Sequence, residues 1–175
     1  MCELVSVEQV IAKTVNVARA YFLTEENIYG CAETTFMALK TAYGLPDPGD
    51  SGAAMALNGG VAYGGNICGA ISGAAMAVGM LAKERIQDHK SAKRAARQII
   101  MSYMDEFRQA YQSVNCIDLI ELDIRDEEEH RRFIESGIWR TACMDQIEFA
   151  VRKLAPLNDQ IVWERAVQEA GCREG

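Results

Sequence analysis

Thirty-two consecutive residues, 51–82, carry no charged side chain, and ten of the fourteen glycines fall between Gly44 and Gly79. A stretch this uncharged has to be covered on all sides, either by lipid or by the rest of the chain. Its longest apolar run, Ile67 to Ala82, is sixteen residues, short of the roughly 20 that cross a bilayer. Asn58 and Asn66 interrupt the stretch, and Gly59-Gly60 and Gly64-Gly65 are turn signals. The pattern therefore predicts a buried, glycine-rich central helix and not a membrane span. Gly69, Gly73 and Ala77 recur at four-residue spacing on one face, with Ala70, Ala74 and Gly79 close by. Such low relief lets another backbone approach closely, in a crowded helix packing or in a two-fold contact between copies.

The flanking segments show helical periodicity. Ser6 and Gln9 have the form of a capping box ahead of a helix over 7–22. A second helix is expected over about 28–43, closed by Gly44 in a left-handed C-cap and barred from continuing by Pro46. A long amphipathic helix runs from Ser91 to about Ala110, and another spans about 140–154. After Pro156 a helical tail covers 158–170. No strand–helix alternation and no repeat is visible. The expectation is one all-α domain over 1–175, a single-domain helical bundle with a small-residue central helix.

Composition excludes several functions. A net charge of −7 opposes phosphate binding. The basic run of Lys83, Arg85, Lys90, Lys93, Arg94 and Arg97 is interrupted by Glu84 and Asp88, as on a solvated helix face; no nucleic-acid partner is expected. The start lacks a basic n-region and an apolar core, so a cytoplasmic location with reduced thiols is expected. His89 and His130 sit among charged residues and read as surface groups. The glycine clusters lack the dinucleotide and phosphate-loop orders, and the acidic pairs Asp105-Glu106 and Glu127-Glu128 carry no acid–base signature.

The chemistry left is that of the six cysteines. Cys2 and Cys172 lie near the ends and call for no role. Cys31, Cys68, Cys116 and Cys143 fall on four separate elements, and no CxxC pair occurs, which removes a thioredoxin-like site and the common zinc-finger pattern. Cys68 opens the small-residue helix, where free N–H groups and the helix dipole would stabilise a thiolate and lower its pKa. Gly69 beside it leaves room for a partner or cofactor. The alternative is a cysteine buried in a packing seam, with Gly69 only relieving crowding. Cys31 is similarly flanked by Gly30 and Ala32.

Cys68-Gly69-Ala70-Ile71-Ser72-Gly73 reads CGAxxG. With Cys31 before it and Cys116 and Cys143 after it, the chain resembles the C_GCAxxG_C_C family of redox-active proteins over about residues 29–154. Helix 7–22 and the tail 158–170 lie outside that core. The likeness extends faintly to haem-binding split-Soret cytochromes, but the chain has no CxxCH attachment motif, so covalent haem is not implied. The resemblance implies redox chemistry at the four cysteines. In the preferred reading Cys68 attacks and Cys31 resolves, with Cys116 or Cys143 as a second pair; this needs a thiol reductant or electron-transfer partner and no cofactor. A second reading gathers Cys31, Cys68, Cys116 and Cys143 as ligands of zinc or an iron–sulfur cluster. In either, Gly69 and Gly73 are the candidates to line a cofactor site. A third is a non-catalytic helical module that forms a homo-oligomer through its small-residue faces.

Overall fold

The computed structural model describes residues 6–171. It is an all-α bundle whose order is α1 (Val7–Phe22), α2 (Cys31–Tyr43), α3 (Gly69–Arg85), α4 (His89–Tyr111), α5 (Cys116–Ile120), α6 (Glu127–Glu135), α7 (Met144–Leu154) and α8 (Gln160–Gly171). Cys2 and Cys172 lie outside the described residues. No helix among those described is long and apolar enough to cross a membrane.

Local chemistry explains most of the boundaries. The Ser6 hydroxyl accepts the Gln9 N–H and the Gln9 side chain accepts the Ser6 N–H, so both ends of the expected capping box are made. Gly44 closes α2 at φ 65°, the left-handed position that suits glycine. Helix α2 begins at Cys31, three residues later than its periodicity suggests, because Gly30 is held extended as the N-cap. Asp88 caps α4 through the Ser91 N–H, and Asp126 caps α6 through the N–H groups of Glu128 and Glu129. The acidic run expected at the surface thus opens a helix, and that helix buries no residue of its own. The span read as one helix from 140 is composite: Trp139–Cys143 is a π-helical turn that passes into α7.

Helix α3 packs on α2 through its smallest residues. A Cβ on Gly73 would overlap the Ala32 carbonyl oxygen, and one on Gly69 would overlap Cys31 Sγ and stand 2.7 Å from the Ala32 nitrogen. Ala70, Ala74 and Ala77 are fully buried beside them. The small-residue face is therefore occupied within the chain. On the other side, Tyr103, Phe107 and Tyr111 of α4 pack against Phe149 of α7, with ring centroids 5.4–6.2 Å apart. Polar ties fix the ends: the Tyr43 hydroxyl donates to the Leu154 carbonyl at 2.9 Å, and Arg85 donates to the carbonyls of Leu157 and Asn158.

Candidate functional site

Three backbone devices bring Cys31, Cys68 and Cys116 together from distant parts of the chain. The first is a short antiparallel pairing of the segments that lead into α3 and α5. Ile67 bridges Asn115, the Cys68 N–H donates to the Val114 carbonyl at 2.8 Å, and the Cys116 N–H donates to Asn66 at 2.6 Å. Cys68 and Cys116 are thereby set side by side at two helix starts.

The second is a left-handed run. Gly59, Gly60, Val61, Ala62 and Tyr63 all have positive φ, at 63°, 73°, 65°, 49° and 60° in turn. For the three non-glycine residues this costs roughly 1–2 kcal/mol each. A closed hydrogen-bond set holds the run in place, including Ala62 N–H to Ala56, Gly65 N–H to Gly59 and Asn66 N–H to Gly60. Turn signals are present in the sequence here, but a β-branched Val61 in this region is not something they announce. Strain of this kind concentrates at functional sites. Its product is visible: Tyr63 is thrown out to 48% exposure, and Gly59 shares the cavity wall with Cys31.

The third is the start of α2. Glu33, only 6% exposed, accepts from the Gly30 N–H at 2.9 Å, from the Asn58 amide at 2.8 Å and from the Ser51 hydroxyl at 2.8 Å. Asn58 in turn accepts the Ala32 N–H at 3.0 Å. This network pins the first turn of α2, and with it Cys31, against the left-handed run.

The result is a cavity of about 170 Å³ with Cys31, Cys116 and Cys143 in its wall. Phe22, Trp139, Phe133 and Tyr63 supply aromatic surface, with Phe22 and Trp139 edge-to-face at 5.5 Å. Ile28, Tyr63 and Ile134 stand exposed at its margin. His130, expected at the surface, is half-buried in this wall with its ring 5.5 Å from that of Tyr63, because α6 lies along the opening.

The four thiols differ in environment. Cys68 is 2% exposed, does not reach the cavity wall, and donates its S–H to the buried Gln146 Oε1 at 3.3 Å. The lowered pKa expected from its helix start is reversed. Burial, then the neighbouring Cys31 sulfur, pushes the thiol well above its ordinary value, and the N–H groups of Ala70 and Ile71 do not offset that. Desolvation of a thiolate outweighs a helix dipole when no water reaches the sulfur. Cys143, buried at the junction of the π turn and α7, is also pushed well up, first by burial and then by the other three thiols. Burial raises Cys116 to about 12, with Cys31 adding to the rise.

Cys31 is the half-buried member of the set. Burial raises it as well, but the N–H groups of Gly59, Ala32, Gly69 and Cys31 itself all work against the rise. They come from the left-handed run, the start of α2 and the start of α3, a backbone nest that limits the rise without reversing it. Gly69 contributes twice: it supplies an N–H, and its missing side chain is the space that Cys31 Sγ occupies. The room foreseen for a cofactor beside Gly69 and Gly73 is filled by α2.

All four thiols are free, and among the described residues no three His, Cys, Asp or Glu side chains form a metal-holding group. As arranged, the sulfurs do not fit a tetrahedral zinc or iron–sulfur set. Gln146, Glu33, Asn58 and the aromatic wall were not legible as site residues from sequence, since none belongs to a local motif.

Among known families, the one described as "Putative redox-active protein (C_GCAxxG_C_C)" matches residues 29–157. No curated protein and no solved structure matches.

Proposed function

The chain belongs to this four-cysteine, redox-active C_GCAxxG_C_C family, and on that premise we propose that it performs thiol–disulfide exchange with Cys31 as the attacking sulfur. The observation that carries the reading is that Cys31 is the one half-buried thiol of the four, in the wall of a cavity that holds two further thiols. In this reading Cys31 attacks a disulfide as the thiolate, and Cys116 or Cys143 resolves the mixed disulfide. Cys68 serves as a buried hydrogen-bond donor that fixes Gln146, and as a reserve thiol that reacts only after rearrangement. Gly69 and Gly73 serve close helix approach. The roles of Cys68 and Cys31 are thus exchanged relative to the sequence-based expectation, because accessibility and the N–H nest both favour Cys31.

The test is alkylation of the native, reduced, full-length chain carrying Cys2→Ser and Cys172→Ser, with the modified residue located by mass spectrometry. Cys31 is expected to react at least about tenfold faster than the other three, because it alone is half-buried and the reagent reaches it first. Prior labelling of Cys68 would overturn the assignment. Metal and sulfide analysis of protein purified without oxygen, if it returned stoichiometric zinc or iron, would replace exchange with the ligand reading.

A further inference from the structure

The cavity wall contains a feature that thiol exchange alone does not require. Glu33 is a buried carboxylate lining the same space as Cys31, and its three hydrogen-bond donors are an amide N–H, a carboxamide and a hydroxyl. None of these is a cation, and among the described residues no Lys or Arg forms an ion pair with Glu33. The nearest buried cation on α2, Lys40, is committed to the carbonyls of Asp47 and Asp50. Among the described residues no Lys or Arg lines the cavity, and His130 is the one basic side chain in its wall. Buried carboxylates are ordinarily matched by a positive group. Phe22, Tyr63, Phe133 and Trp139 bring four aromatic rings to a wall that also holds Ile28, Ile124 and Ile134; aromatic rings attract cations, and Arg140 already stacks on the Trp139 ring at 4.3 Å from its centroid. Size limits the ligand as well, since about 170 Å³ admits a few heavy atoms and excludes a folded protein loop.

We propose that this cavity selects small disulfides bearing an ammonium group, with Glu33 and the aromatic wall holding the cation while Cys31 attacks the disulfide. The inference rests on the thiol-exchange reading above. In the first step the Cys31 thiolate forms a bond to one sulfur of R–S–S–R, the S–S bond breaks, and R–S⁻ leaves and takes up the proton Cys31 released. In the second, Cys116 or Cys143 loses its proton to the departing second R–S⁻ as its sulfur displaces it from Cys31. The two protein thiols are oxidised to one disulfide, and the substrate is reduced to two molecules of R–SH.

The experiment is single-turnover oxidation of the reduced full-length chain with Cys2→Ser and Cys172→Ser. It uses bis(2-aminoethyl), bis(2-hydroxyethyl) and bis(carboxymethyl) disulfide, each rate divided by that for N-acetylcysteinamide to remove intrinsic reactivity. The ammonium compound is expected to exceed the neutral one by at least about tenfold after this correction, and the anionic one to be slowest, as one buried charge requires. Glu33→Gln is expected to bring the ammonium-to-neutral ratio to within about threefold. Because that variant also alters the network at Gly30, a second measurement uses the unsubstituted Glu33: propylammonium should slow oxidation by the neutral disulfide, and propanol should not. A corrected ratio near one, or equal effects of propylammonium and propanol, overturns the selectivity while leaving thiol exchange standing. Failure of Cys31 to react with any of the three overturns both.

Discussion

Two glycines six residues apart on α3 ought to respond to the same substitution with opposite signs. A Cβ on Gly79 would meet nothing within 4 Å, whereas one on Gly73 would overlap the carbonyl oxygen of Ala32 and lie 3.1 Å from its carbon. Both positions are interior to the helix, so alanine gains roughly 1 kcal/mol of helix propensity at each. At Gly79 that gain stands alone. At Gly73 the obstructing atoms are backbone, fixed in the first turn of α2, and α3 must move away. Overpacking of this kind costs about 1–3 kcal/mol, and a rigid backbone obstacle places it near the upper end, for a net loss of about 2 kcal/mol. For a chain of this size each kcal/mol shifts Tm by roughly 2–4 °C. Gly79→Ala is therefore expected to melt a few degrees above the parent, and Gly73→Ala roughly 4–8 °C below it. Thermal melts followed by circular dichroism, with urea titrations as a second measure, resolve the pair. Equal shifts for the two variants would refute the close α2–α3 approach described for this helix.

Further outcomes follow from the thiols and caps. The raised pKa of Cys116 means that folding favours its protonated form: this stability is fully present below the ordinary value of 9.0 and is lost as pH climbs towards about 12. The urea midpoint should fall through that window, with a slope of up to about 1.4 kcal/mol per pH unit per thiol, and Cys116→Ser should make the fall shallower. Asp88→Ala removes the side-chain acceptor for the Ser91 N–H at 2.8 Å and is expected to cost about 1 kcal/mol. Tyr43→Phe leaves the buried Leu154 carbonyl without its 2.9 Å donor and should cost about 1–2 kcal/mol in the same denaturation assay.

Features whose causes are local were legible in the sequence. The Ser6–Gln9 capping box and the Gly44 C-cap each depend on a few neighbouring residues, and both form where the residue types place them. The π turn at Trp139–Cys143 has no such signature, since its residues would suit an ordinary helix equally well. At the site, the family resemblance singled out four cysteines, but the hexapeptide says nothing of how deeply each one is buried. A helix-dipole argument counts only the N–H groups at the start of α3 and favours Cys68. Desolvation depends on what the rest of the chain places over the sulfur, and its partner Gln146 comes from α7, far away in sequence. The nest around Cys31 is equally non-local, with N–H groups from residues 31, 32, 59 and 69. Glu33 gave no signal because a single glutamate inside an amphipathic helix looks like any solvated one.

The glycines around Cys31 leave their space to specific side chains: Gly30 to Asn58, Gly59 to Tyr63 and Ile124, Gly69 to Cys31. Substitutions at these positions should not act independently. Once a methyl at Gly69 has displaced Cys31, a second at Gly30 meets an Asn58 whose partner at Ala32 has already moved. Pairs of this kind typically couple by about 0.5–3 kcal/mol, while distant ones such as Gly79 and Asp88 add. Sequence variation around the thiol pocket would then be epistatic, with tolerated changes arriving in compensating sets, and a graft of the CGAxxG hexapeptide alone into another helix would not rebuild the surroundings of Cys31.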